Sequence, residues 1–138
     1  MSVDAALTDV TATGGAAGLA YPEDYDNATQ TLNFTGTAGE TQTFSVATLD
    51  DAVVESTETF TVSLTADTAL VDDSDTGTGS ITDNDDAAVT VDDVTAVEGV
   101  GLVFTVTLDA AVQGGLSVDA GLSDVTATGG AASTLKPP

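Results

Sequence analysis

Cysteine, histidine and tryptophan are absent from this chain of 138 residues, and Lys136 is its only basic residue. Without cysteine there is neither a disulfide framework nor thiol chemistry. Without histidine or cysteine the usual catalytic triads cannot form, and no glycine-rich phosphate loop is present. Paired carboxylates can serve a glycoside hydrolase, but almost no cation and no Trp are available to orient a sugar. We therefore predict that the protein is not an enzyme.

The scarcity of positive charge also limits the partners. Asp and Glu together number 23, and the formal net charge is −22 at pH 7. Binding to nucleic acid requires Lys and Arg for the phosphates, and an anionic membrane surface repels such a chain. No apolar run approaches the length that crosses a bilayer. We expect no nucleic-acid partner and no membrane insertion.

What the chain does contain is alternation. Val, Leu and Phe alternate with Thr and Ser, which is the period-two pattern of strands with one buried face. Glycine-rich segments separate these runs as turns, and no segment carries a helical period. The pattern predicts an all-β fold of the sandwich type. The alternating runs are residues 31–35, 43–49, 59–65, 88–91 and 102–108.

The chain also repeats itself. Residues 2–17 recur as residues 117–132, and 14 of the 16 positions are identical. The two differences are Ala6, which becomes Gly121, and Thr8, which becomes Ser123. An offset of 115 residues corresponds to a whole domain rather than to one turn of a solenoid. The chain is thus either a window on a tandem array or a natural subunit with its strands in permuted order.

Two short stretches hold seven carboxylates, with no basic residue nearby: Asp50, Asp51, Glu55, Glu58, Asp83, Asp85 and Asp86. Such like charges repel, and each disfavours ionisation of the next. A hard divalent cation neutralises them, and Ca²⁺ suits them best because it takes six to eight oxygen ligands in flexible geometry. The spacing alone leaves a second interpretation open, which is a pair of solvated acidic loops. We interpret Asp72, Asp73 and Asp75 as a solvated loop.

Segment 50–64 (DDAVVESTETFTVSL) resembles the core signature of the Calx-beta domain family. Segments 23–25, 30–34 and 39–46 are similar to strands and turns of that family in the same order. Segment 77–85 resembles its last strand and terminal acidic loop, and segment 97–99 resembles its first strand, so the strands stand in permuted order along this chain. The resemblance covers nearly all of residues 2–132. It implies a seven-strand antiparallel sandwich of the immunoglobulin type, with calcium bound at one end by side chains from three or four loops.

Matching positions imply a set of calcium ligands. They are Asp24, Asp50, Asp51, Glu55, Glu58, Asp83, Asp85 and Glu98, with the carbonyl of Val53. Asp86 is an alternative to Asp85, because the loop reads Asp-Asn-Asp-Asp. Asn84 stands where the tightest-binding members are acidic, which implies fewer ions than a full cluster.

The family order also divides the chain. Residues 1–86 correspond to strands C to G of one sandwich, residues 87–132 to strands A, B and the start of C of the next repeat, and residues 133–138 to a tail of different composition. Strand A would have to cross about 35 Å without a linker to close within one chain. We therefore predict that residues 87 to about 116 complete the next sandwich along, with Glu98 joining the calcium site of a neighbouring chain.

These features predict a calcium-stabilised structural repeat of an extracellular or cell-surface adhesin or filament, joined head to tail with neighbouring copies by strand complementation. Two alternatives stay open. One is a regulatory calcium-sensing domain, and the other is an adhesive module that binds sugar or ice.

Overall fold

A computed structural model describes residues 1–15, 20 and 22–130 of the chain. In these residues the backbone forms ten β-strands and no helix, which confirms the all-β class. A helix able to span a membrane is accordingly not found in this part of the chain. The predicted tail, residues 133–138, lies outside the described residues. The strands are β1 (Ser2–Asp9), β2 (Gly14–Gly15), β3 (Tyr25–Asp26), β4 (Gln30–Asn33), β5 (Val53–Val54), β6 (Glu58–Ala66), β7 (Thr76–Ile81), β8 (Val89–Val91), β9 (Val106–Leu108) and β10 (Ala111–Val112).

Four of these strands form the main sheet, in the order β4-β1-β6-β7, and every pair in it is antiparallel. The longest pairing joins β1 to β6, from Val3 opposite Ala66 to Asp9 opposite Phe60. β6 alternates Phe, Val and Leu with Thr and Ser, so one face of this strand is apolar, as a half-buried sheet requires. In this strand order β1 is an interior strand, with β4 on one side and β6 on the other.

The core is small and aromatic. Tyr25 and Phe60 stack with their ring centroids 4.3 Å apart and their planes inclined by 16°, a geometry that contributes about 0.5–1.5 kcal/mol beyond area burial. The buried Tyr25 hydroxyl donates to Asp9 Oδ1 at 2.6 Å, and burial together with this bond raises the pKa of Tyr25. Further apolar side chains in or against this core are Val3, Ala5, Ala12, Leu7, Val46, Val62 and Ile81.

A glycine permits the closest contact in this core. Phe60 lies opposite Gly79 in the pairing of β6 with β7. A Cβ atom added at Gly79 would collide with the Phe60 ring. The ring thus occupies space that any other residue at position 79 would fill.

The remaining strands are short. β2 pairs with β3 and β10 pairs with β5, each in parallel over two residues, and β8 pairs with β9 as an antiparallel hairpin. No strand pairing in the described ranges joins this hairpin to the main sheet. Its apolar side chains Val91 and Val106 are more than half exposed. The first 86 residues therefore contain the core, and the hairpin presents an apolar surface.

The strand pattern departs from the sequence predictions at three places, one of which is run 102–108, where only Val106–Leu108 form a strand. Segment 43–49 forms no ladder, and only Thr48 makes a bridge, with Tyr25. Alternation needs a neighbouring strand to become a sheet, and this segment has one only at its end. β1, in contrast, is the centre of the main sheet although Asp4 and two alanines blur its alternation. The seven-strand immunoglobulin-like topology stays a prediction, because the sheets besides the main one are pairs of two or three residues.

Candidate metal centre

An acidic cavity lies at the end of the main sheet where β6 begins and β7 ends. We use this name for the space lined by the eight carboxylates Glu23, Asp24, Asp50, Asp51, Glu55, Glu58, Asp83 and Asp85, together with Leu49, Ser56, Ile81, Thr82 and Asn84. Glu58 is the first residue of β6, and Asp83 follows the last residue of β7 by two positions. Seven predicted calcium ligands are thereby brought to one place.

Three of these carboxylates form the centre of the cavity. Asp24, Glu55 and Glu58 each offer an oxygen, and these atoms lie within 4.8 Å of one another, so the group could hold a metal ion. Glu58 is only 8% exposed. Asp24 is fixed from both sides, because Thr13 N donates to its Oδ2 at 2.6 Å and its own N donates to Thr13 O at 2.7 Å. Carboxylate oxygens at this separation suit a hard cation.

Backbone hydrogen bonds hold the outer carboxylates. Asp83 accepts from Glu55 N at 2.8 Å and from Asp85 N at 3.1 Å, and these bonds lower the pKa of Asp83. Asp51 Oδ1 accepts from Val53 N at 2.8 Å. Because backbone amides hold Asp51 and Asp83, these two residues present their remaining oxygens in a fixed arrangement.

The electrostatics of the cavity oppose full ionisation. Burial, followed by the charges of surrounding aspartates, raises the pKa of Glu55. Burial and a hydrogen bond shared with Asp24 raise the pKa of Glu58. Burial and the neighbouring charges, that of Asp83 foremost, raise the pKa of Asp85. The lining contains no basic side chain. A bound cation would supply the missing countercharge.

Gln113 reaches the cavity although sequence reasoning does not point to it. Its Nε2 donates to Glu55 Oε1 at 3.1 Å and to Glu58 Oε1 at 3.3 Å. The pairing of β10 with β5 places it there, and Gln113 N extends this pairing by donating to Val54 O at 2.9 Å. A neutral side chain 55 positions from Glu58 gives no charge signal in the sequence. The segment predicted to belong to the next repeat thus contacts the acidic cavity of its own chain.

Two further lining residues with a carboxylate or amide side chain, Glu23 and Asn84, were not among the predicted ligands. Glu23 lines it beside Asp24, and their adjacency in the sequence is the signal that could have identified it. Asn84, where the acidic pattern is interrupted, donates from Nδ2 to Asp50 Oδ1 at 3.1 Å. Asn84 therefore joins the two acidic loops instead of adding a charge.

Three predicted ligands lie outside the lining. Val53 lies in β5, and its N–H donates a hydrogen bond to Asp51 Oδ1. Asp86 follows the cavity residue Asp85 and acts on it through its charge. Glu98 lies in the turn between β8 and β9, which Val100 N closes on Val97 O at 3.2 Å. The role of Glu98 in the site of a neighbouring chain stays a prediction.

The separate acidic group at residues 72–75 has local partners. Asp73 Oδ2 accepts from Ala66 N at 2.8 Å, and Asp72 Oδ1 accepts from Ser74 N at 3.0 Å. These bonds close the turn that connects β6 to β7. The group therefore has a structural use in the turn and does not line the acidic cavity.

Comparison with protein-family models, with curated proteins and with solved structures finds no match for this chain, so the resemblance to Calx-beta domains stays a prediction.

Proposed function

We propose that this protein is a calcium-stabilised structural repeat of an extracellular or cell-surface adhesin or filament, whose copies join head to tail by strand complementation. The observation that carries the proposal is the acidic cavity. Eight carboxylates surround it without a basic side chain, and oxygens of Asp24, Glu55 and Glu58 lie within 4.8 Å of one another. Folding brings these charges together, so a cation that binds only the folded chain stabilises it.

The donor set favours calcium over other metals. The lining offers carboxylate, hydroxyl and amide oxygens and has no imidazole or thiolate, which transition metals prefer. The number of oxygens exceeds the six that Mg²⁺ holds in octahedral geometry, and the loops that carry them are irregular. Ca²⁺ accepts such a set at six to eight positions.

The position of the cavity supports a structural role. It collects the loop before β3, the loops on both sides of β5 and the loop after β7, and Gln113 adds the segment that follows the β8–β9 hairpin. An ion there would hold four separated parts of the chain together. Because the resemblance assigns Gln113 to the next repeat, the ion would also stiffen the junction between consecutive copies.

The apolar hairpin supports association between copies. Val91, Val106 and Phe104 are 63%, 53% and 49% exposed. Clustered exposed apolar side chains of this kind mark interaction surfaces. A neighbouring copy is the expected partner, because the resemblance to Calx-beta domains assigns these strands to the next sandwich along the array.

One observation favours the calcium-sensing domain as a second candidate. The Gln113 amide hydrogen-bonds Oε1 of both Glu55 and Glu58, which are atoms that an ion would use. Ion binding would therefore require the amide to move or to turn its carbonyl oxygen inward. Such a rearrangement would transmit calcium binding to β10.

Thermal unfolding with calcium tests the proposal and affinity separates the two candidates. Millimolar Ca²⁺ added to the EDTA-treated protein should raise Tm, and Mg²⁺ should raise it less. At about one to ten times Kd the calcium stabilises the folded state by about 0.4–1.4 kcal/mol. A NaCl control at equal ionic strength measures simple screening of the negative charge. A Kd of about 0.1–1 mM indicates an extracellular structural site and one below about 10 μM a sensor. An unchanged melting curve with calcium would contradict both.

A further inference from the structure

The central strand of the main sheet has a near-identical copy elsewhere in the chain. β1 (Ser2–Asp9) corresponds to residues 117–124. Ala5 is fully buried in β1, whereas the copy forms no strand and is exposed throughout. Val118 is 55% exposed and Leu122 is 96% exposed. The chain thus holds two sequences for one place in the sheet.

We propose that residues 117–124 are a second β1, which fills the position between β4 and β6 in another copy of this chain when that copy's own β1 is displaced. The differences between the two segments support this. Val3, Ala5 and Leu7 lie on one face of β1, because side chains alternate along a strand, and they recur unchanged. The two changed positions, Ala6 and Thr8, lie on the other face.

The end of the copy already has the local structure of the end of β1. Gly14 N donates to Asp9 Oδ1 at 2.9 Å. At the corresponding positions Gly129 N donates to Asp124 Oδ1 at 2.7 Å. Asp9 also accepts the hydroxyl of the buried Tyr25, and Asp124 offers the same carboxylate. The copy would therefore enter the second chain with its terminal turn formed and with the acceptor that Tyr25 needs.

The copy cannot reach the β1 position of its own chain while β10 stays on β5. Ser2 lies beside Asp67, since Asp67 N donates to Ser2 O, and the stretch from Glu58 to Asp67 is about 30 Å long at 3.3 Å per residue. Gln113 is held at the Glu58 end. Residues 113 to 117 span at most about 14 Å, which is too short even after allowing for the two bonded side chains.

This constraint gives the exchange a direction. The donor's acidic cavity faces the opposite end of the acceptor's main sheet, so repeated donation builds an open head-to-tail chain of copies. Within one intact molecule β1 has the advantage, because its short tether gives it a high effective concentration and because Gly121 weakens the copy as a strand. The exchange needs no metal, but it rests on the head-to-tail strand complementation of the proposed function and specifies the strand that is donated.

Three variants of this 138-residue chain test the inference: Ala5→Glu, Ala120→Glu and the double variant. A glutamate at position 5 places a charge in a fully buried site and disables β1, and a glutamate at position 120 disables only the copy. Ala5→Glu should keep its β circular dichroism but elute as dimers or longer chains, with a mass by light scattering at least twice that of the monomer. Ala120→Glu should stay folded with the same mass as the unmodified protein, and the double variant should unfold.

An unfolded Ala5→Glu variant would overturn the inference, and so would a double variant that is folded and oligomeric. As a second measurement, a synthetic peptide of residues 116–130 should convert the Ala5→Glu oligomers to a folded one-to-one complex, and the same peptide with Ala120→Glu should not. Both experiments are run in EDTA and in calcium. Failure in both media removes the strand exchange and leaves the calcium proposal to its own melting experiment.

Discussion

Gln113 and Glu55 lie 58 positions apart, and Nε2 of the first donates to Oε1 of the second at 3.1 Å. The same amide reaches Glu58 Oε1 at 3.3 Å. One neutral side chain thus donates hydrogen bonds to two crowded carboxylates, in a cavity whose lining has no basic side chain. The bridge also connects β10, in the second half of the chain, to the acidic cavity formed by the first.

Removing this bridge should destabilise the metal-free protein. We expect Gln113→Ala to lower the free energy of unfolding in EDTA by about 1–3 kcal/mol, because two carboxylates lose a hydrogen-bond donor. Urea unfolding followed by circular dichroism measures the change. Gln42→Ala is a matched control, since Gln42 Nε2 makes a long 3.4 Å bond to Glu40 on an exposed loop. Similar losses from both variants would show that Gln113 does not support the cavity.

Loss of a single cavity carboxylate should remove most of the rise in Tm with calcium. Glu55→Gln and Asp51→Asn keep the shape of the side chain and remove one charge each, so the ion loses a ligand. Asp73→Asn removes the same charge but keeps an acceptor for Ala66 N in the β6–β7 turn, and its calcium response should match that of the unmodified protein. Calorimetric melting with and without 5 mM calcium, which is about five times the upper Kd of weak extracellular sites, makes the comparison. Equal effects from all three would indicate general relief of charge instead of a defined site.

The metal-free protein should be most stable at mildly acidic pH. The raised pKa values of Glu55, Glu58 and Asp85 mean that the folded protein binds protons more readily than the unfolded chain, so stability rises as pH falls from neutral toward the usual carboxyl range near about 4. Asp83 and Glu40 have lowered pKa values, and their stabilisation is lost as pH falls through those values. Tm in EDTA should therefore pass through a maximum.

Calcium and substitution provide the controls for this profile. Saturating calcium keeps the carboxylates ionised, so the acid-side rise in Tm should disappear and protons should instead displace the ion. Glu55→Gln with Glu58→Gln should flatten the rise in EDTA. A metal-free Tm that falls steadily from neutral pH would contradict the raised pKa values as a source of pH dependence.

Two glycines of β7 should respond differently to substitution by alanine. Gly79→Ala drives a methyl group into the Phe60 ring, and overpacking of this kind costs about 1–3 kcal/mol. At Gly77 the added Cβ would meet Val62 Cβ at 3.8 Å, an ordinary contact, so Gly77→Ala should be neutral or stabilise by up to about 1 kcal/mol. Urea unfolding of both variants tests the difference. Equal stability of the two variants would mean that the Phe60 ring does not occupy the position that a Cβ at residue 79 would take.

The acidic cavity was predictable from sequence because most of its members are clustered along the chain. Segments 50–58 and 83–86 are visibly acidic in the sequence, and the alternation of apolar and polar residues in β6 predicts a strand. Gln113 was not predictable from its own residue type, because only a two-residue strand pair brings this neutral side chain to Glu55. Segment 43–49 shows the converse, since a good alternating pattern forms no ladder without a neighbouring strand. Local sequence pattern thus identified which segments can form strands or carry charge. Long-range pairing decided which of them form a ladder and which side chains reach the cavity.

The place of β1 in the sheet has a consequence for how the chain folds. Val3 pairs with Ala66, 63 positions later, so the central strand must wait until β6 has been made. At synthesis rates of about 5–20 residues per second that delay is about 3–13 s, and sheets with such distant pairings fold slowly. In an array of near-identical repeats, a waiting strand can meet the β6 of an earlier copy before its own. The order in which repeats emerge would therefore decide between correct assembly and cross-pairing.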